Sequence, residues 1–91
     1  MMQHKRIQVF GIVQGVGFRY FVERLAHKYN VYGTVQNVNN YVEVYAQGHD
    51  SELEYFIKAV TAGASPASKV TDYQIDTLAL DETYDRFKVL Y

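Results

Sequence analysis

In KRIQVFGIV, residues 5 to 13, apolar and polar positions alternate closely enough to predict a strand with Ile7, Val9 and Val13 on one face. Phe10 and Ile12 make the other face apolar as well, the pattern of a central strand partly covered on both sides. From Phe18 the period changes. Phe18, Phe21, Val22, Leu25, Ala26 and Tyr29 recur three and four apart, one stripe of a helix that Asn30 ends.

Two more strand patterns follow, VYGTVQN at 31–37 and YVEVYAQ at 41–47, joined through Asn39 and Asn40. Asparagine tolerates the left-handed backbone that a tight hairpin turn demands. Asp50 and Ser51 then open a second helix. Ser51 and Glu54 have capping-box spacing, Leu53, Phe56, Ile57 and Val60 form the apolar stripe, and Gly63 is its stop. ASPAS reads as a loop and 69–76 as a weaker strand. The closing RFKVLY alternates Phe87, Val89 and Tyr91 against Arg86 and Lys88. The order is strand, helix, strand, strand, helix, strand, with one extra hairpin strand near the end. That predicts an α+β protein, a ferredoxin-like α/β sandwich (βαββαβ) with two helices on one face of a four- to five-stranded antiparallel sheet.

A length of 91 residues suits a single domain spanning 1–91. A net charge of −1 with scattered lysines and arginines argues against a nucleic-acid backbone as partner, which needs a concentrated basic face. With no cysteine there is no disulfide, thiolate zinc site or cysteine nucleophile. His4, Lys5 and Arg6 precede an apolar run, but Gln8 and Gln14 interrupt it, so it is no signal peptide. No stretch reaches the roughly 20 apolar residues of a membrane span. A cytoplasmic protein without a membrane partner is expected.

The candidate chemistry sits where the first strand meets the first helix, in QGVGFR, Gln14 to Arg19. The first N–H groups of a helix lack internal partners, and the helix dipole makes that end partly positive. A loop with Gly15 and Gly17 can curl its N–H groups inward as a nest for a phosphate-sized anion, to which Arg19 adds a fork matching two phosphate oxygens. The bland alternative is a tight turn with Arg19 paired to Glu23 one helical turn on, worth ~0.3–0.5 kcal/mol. The loop lacks the Gly-Lys-Ser/Thr ending of a P-loop, and Tyr20 stands where a dinucleotide fingerprint has its third glycine. In the expected topology strands one and two run parallel with strand three between them. That sets Asn37 about 10 Å across from the end of strand one, two strand spacings away, as a candidate to hold a water.

His4, His27 and His49 show no metal spacing, and there is no Gly-x-Ser-x-Gly elbow. Asp50 with Glu52 or Glu54 fits a helix start better than a metal pair. Such a site offers positioning and charge stabilisation only, which suffices for phosphoryl transfer when the leaving group is good. A carboxylate departs as a stable anion and needs no general acid, so a carboxyl–phosphate anhydride suits the site best.

GIVQGVGFRYFV followed by YGTVQNVNNYVEVYAQG resembles the acylphosphatases, small hydrolases of acyl phosphates. The resemblance is specific from Lys5 to Gly48 and looser through the second helix to FKVLY. It implies a phosphate loop of Gln14, Gly15, Val16, Gly17, Phe18 and Arg19, with Arg19 as catalytic arginine and Asn37 as the asparagine orienting the attacking water. It also implies no metal, no cofactor, inorganic phosphate as product and competing ligand, and a monomer. The chain departs from the common pattern at Thr34 (usually aromatic), Gln36 (usually basic), Asn39-Asn40 (usually Asp-Gly), GAS after the second helix (usually containing Gly-Pro) and Leu90 (usually arginine). Two rivals share the strand and helix order. An RNA-binding module would use aromatics such as Phe10, Tyr41 and Tyr45, but YVEVYAQG lacks its basic-glycine-aromatic signature. A non-catalytic domain binding a small anion would also need Arg19.

Overall fold

The computed structural model describes all 91 residues. Its elements run β1 (Met2–Ile12), α1 (Phe18–Lys28), β2 (Tyr32–Val38), β3 (Tyr41–His49), α2 (Asp50–Thr61), β4 (Lys69–Leu78) and β5 (Phe87–Leu90). The strands form one sheet in the order β4-β1-β3-β2-β5. Both helices lie on one face, the ferredoxin-like arrangement. Ile7, Val9 and Val13 of the first strand pattern, Phe18, Val22 and Ala26 of α1, and Leu53, Phe56 and Val60 of α2 all enter one buried core. Phe56 meets Phe87 edge-on at 6.1 Å. Burying a ring of that size stabilises by about 1.5–3 kcal/mol.

The sheet is mixed rather than wholly antiparallel, because β5 pairs parallel with β2, Gly33 opposite Phe87 and Val35 opposite Val89. After β4, on one edge, the chain crosses to the opposite edge before β5 begins, so β5 enters in the same direction as β2. Residues 79–86 make that crossing on the sheet face away from the helices. His4 is buried beneath them. In its neutral form Nδ1–H donates to the Ala79 carbonyl (2.7 Å) while Nε2 accepts from the Tyr84 hydroxyl (3.0 Å). The Gln47 carboxamide both donates to the Asp81 carbonyl and accepts from its N–H, at 2.9 and 2.8 Å.

Burial raises the Tyr84 phenol above its usual range, with the nearby Asp81 charge adding to the effect. A raised folded value gives stability that is whole below about pH 10 and lost as pH rises through it. Tyr84→Phe should therefore flatten the alkaline limb of a Tm-against-pH curve. An unchanged limb would contradict that role.

The open face leaves β1 less covered than its sequence suggests. The Phe10 ring meets Tyr41 in a tilted pair at 5.2 Å, but Ile12 is exposed. The second helix also differs from expectation. It starts at Asp50 with His49 as extended N-cap and no side-chain capping bond. The Asp50 N–H donates to the Met1 carbonyl at 3.0 Å, so Ser51 falls inside the first turn, where it cannot cap. Asp50 and Glu52 there favour the positive end of the dipole. Asn39 turns the hairpin at φ 52°, and Asn30 leaves α1 at φ 55° with its Nδ2 donating to Glu52 (2.8 Å).

Gly33 is fixed by close approach. At φ 143° a Cβ would stand 1.8 Å from the Tyr45 carbonyl oxygen in the adjoining β3. Its N–H donates to the Arg86 carbonyl where β5 begins (3.1 Å). Gly33→Ala should cost roughly 2–4 kcal/mol in a urea titration, since both backbones must shift. A loss below about 0.5 kcal/mol, the range of an ordinary surface change, would contradict the close approach.

Candidate active site

The loop between β1 and α1 takes its shape from its glycines. Gly15 and Gly17 both hold φ 74°, and Gly17, left-handed, is the N-cap of α1 with no side-chain cap. No protein group fills the space where a Gly15 Cβ would stand. The requirement for glycine is therefore the backbone conformation, which costs other residues about 1–2 kcal/mol. The N–H groups of Gly15, Val16 and Gly17 donate to no protein acceptor. Free donors beside a helix N-terminus are the arrangement that an anion nest uses.

Beside the nest is a cleft of about 190 Å³ lined by Gly15, Gly17, Phe18, Arg19 and Asn37, with Tyr20, Glu23, Val13, Val89 and Tyr91 completing its walls. Asn37 arrives from the end of β2. Its partner across the ladder is Val42 of β3, which in turn faces Val9 of β1, so two strand spacings separate Asn37 from Val9, three residues before the end of β1 rather than at it. The Asn37 Oδ1 is buried and no protein donor reaches it. Such an orphan acceptor costs about 1–3 kcal/mol unless something else satisfies it. No group of three or more His, Asp and Glu side chains is placed to hold a metal ion.

Arg19 makes no ion pair with Glu23; the chain's salt bridge joins Arg6 and Asp76 instead. The guanidinium turns to the last strand, donating through Nη1 to the Leu90 carbonyl (3.2 Å) and lying over the Tyr91 ring at 4.8 Å. Neither partner carries an opposing charge, so the arginine's positive charge stays available to a ligand. The weak i,i+4 pair that the sequence offers loses to a carbonyl and a ring that only the tertiary fold brings within reach.

Of the expected phosphate-loop residues, Gly15, Gly17, Phe18 and Arg19 line the cleft together with Asn37. Gln14 and Val16 do not. The Gln14 Nε2 donates to the Asn39 and Tyr41 carbonyls, at 3.1 and 2.9 Å, and so ties the loop to the β2–β3 hairpin. The Val16 side chain packs on the core. Five wall residues, Val13, Tyr20, Glu23, Val89 and Tyr91, were not read from the sequence as part of the site. Glu23 could have been found from its place one helical turn after Arg19. Val89 and Tyr91 depend on β5 lying beside β2. Among the positions that depart from the acylphosphatase pattern, Gln36 and Leu90 face each other across that same pair of strands.

The fold and the cleft together define a small α/β sandwich with a cleft at the joint of its first strand and helix. The acylphosphatase family model matches residues 5–89, and the chain belongs to that family. It is 60% identical over 87 residues to an acylphosphatase of Staphylococcus haemolyticus (strain JCSC1435), covering 96% of this chain and 98% of that one. The crystal structure of acylphosphatase from Bacillus subtilis superposes with a TM-score of 0.91 at 44% identity, over the whole of both chains. The chain also matches 12% of full-length HypF in its phosphate- and nucleotide-bound form, at 33% identity and a TM-score of 0.92.

Proposed function

We propose that this protein hydrolyses acyl phosphates to a carboxylate and inorganic phosphate at the cleft between the glycine loop and β2. The observation that carries the reading is Arg19, free of any carboxylate partner, beside three unpartnered N–H groups at a helix N-terminus. The nest and the guanidinium hold the three phosphoryl oxygens and stabilise the charge that spreads over them in the transition state. Asn37 accepts a hydrogen bond from the attacking water through Oδ1 and sets it in line with the bond to the acyl oxygen. The water oxygen bonds to phosphorus as the P–O(acyl) bond breaks. The electron pair leaves on the carboxylate, and the water's protons stay with the phosphate formed. A carboxylate leaving group needs no proton, which matches the absence of a candidate general acid among the catalytic residues assigned.

The reading takes the chain as one domain, working as a cytoplasmic monomer without cofactor or metal, with no nucleic acid or membrane partner. No helix is long and apolar enough to cross a membrane. Inorganic phosphate, the product, occupies the same nest, so it should inhibit hydrolysis of benzoyl phosphate competitively. Purely noncompetitive inhibition would put the phosphate elsewhere and contradict the site.

A further inference from the structure

The ladder between β1 and β3 ends early. Its last pair is Val9 with Val42, whereas β1 runs on to Ile12 beside β4, with a shift of register between Phe10 and Gly11. Such a shift bends a strand. The residues that lead into the glycine loop are therefore laddered to β4 and not to β3. Asn37, by contrast, is paired to β3 through Val42. Sheet pairing alone does not fix how far the loop stands from Asn37.

One side chain spans that gap. The Gln14 Nε2 donates across it to the Asn39 and Tyr41 carbonyls, and no other hydrogen bond joins residues 13–19 to residues 37–41. Both partners are carbonyl oxygens, so the carboxamide must turn its NH2 group to them, and no side-chain donor is left for an anion. The Phe10 and Tyr41 rings also meet between β1 and β3, but apolar contact is non-directional and two aimed hydrogen bonds are not. Gln14 immediately precedes the free N–H groups of Gly15, Val16 and Gly17. Its two acceptors lie just beyond Asn37 in the chain.

We propose that Gln14 is a positioning residue: its two bonds set the distance between the loop that holds the phosphoryl group and Asn37, and so align the attacking water with the P–O(acyl) bond. The inference rests on the hydrolytic reading above. A misplacement of about 1 Å in such a site can cost about 100-fold in rate.

The test uses Gln14→Met, close in length and without a donor, with Gln14→Leu beside it. Gln14 is half-buried at the surface, so both variants should fold. With benzoyl phosphate, kcat should fall about 10- to 100-fold, while affinity for inorganic phosphate stays within about threefold because the glycines shape the loop locally. In an Asn37→Ala background the same substitution should cost less than about threefold, since no placed water remains to be misaligned. Full multiplication of the two losses would overturn the proposal. So would phosphate affinity that falls in step with kcat, which marks a ligand of the phosphoryl group. A purely structural role would lower Tm and leave kcat of the folded protein unchanged, or leave both variants unfolded, and either result would also overturn it.

A second readout needs no turnover. In NMR spectra of the native protein, saturation with inorganic phosphate should shift the Gly15 and Gly17 amide signals and the Asn37 side-chain amide signal. In Gln14→Met the glycine shifts should persist and the Asn37 shift should shrink. If the native protein hydrolyses nothing yet shows that difference, the hydrolytic reading fails and the spacing role stands. Equal Asn37 shifts in the two proteins would sink it.

Discussion

Arg19→Ala should lower kcat/KM for benzoyl phosphate by about 10³-fold or more, the loss typical of removing a principal donor to a developing anion. The size follows from how the side chain is held. Its partners are the Leu90 carbonyl and the Tyr91 ring, both neutral, so none of its charge is spent on another residue. Arg19→Lys keeps the charge and loses the fork that matches two oxygens, and should fall between the native protein and alanine. The change should leave folding nearly intact. The guanidinium contributes one exposed hydrogen bond and one ring contact, so Tm should move by only a few degrees. Full activity in a folded Arg19→Ala variant would remove the glycine joint from the reaction.

The second large effect belongs to Asn37. Asn37→Ala should reduce kcat about 10²- to 10³-fold while leaving the affinity for inorganic phosphate within about twofold. The split follows from geometry. In the proposed mechanism the anion is held by the loop N–H groups and Arg19, whereas Asn37 comes from β2 and orients only the water. No protein donor loses a partner when Oδ1 is removed, because none reaches it. Stability should therefore hold or rise slightly. Asn37→Asp adds a second negative charge to the cleft and should weaken phosphate binding as well. If Asn37→Ala lost phosphate binding and turnover in parallel, Asn37 would be a ligand of the phosphoryl group rather than the residue that places the water.

Much of this was legible in the sequence because it is local. The α1 stripe from Phe18 to Tyr29 follows from a period of 3.6, and the Ile7–Val9 face of β1 from a period of 2. The glycine pair is legible because left-handed backbone at two alternate positions excludes other residues cheaply. What escaped was set by distant partners. The direction of β5 depends on a crossing that His4 and Gln47 hold from beneath, residues more than 30 positions away from the loop they fasten. The Ser51–Glu54 capping box gave way because Met1 pairs with the Asp50 N–H. The Gln14 side chain fastens the loop to the hairpin, a contact that only the tertiary fold reveals. The site's second wall, Val89 and Tyr91, exists only once β5 docks on β2. β4, which reads weakly, is an edge strand whose residues are mostly exposed, so burial leaves little alternation in its sequence.

The central claim is that charge and position alone, supplied by one loop, one arginine and one asparagine, suffice for hydrolysis of a carboxyl–phosphate anhydride. The most direct test is steady-state hydrolysis of benzoyl phosphate by the native protein in excess EDTA. The account predicts turnover that EDTA does not diminish and that inorganic phosphate inhibits competitively. No turnover, with saturable phosphate binding intact, would contradict it and leave an anion-binding relative without the chemistry.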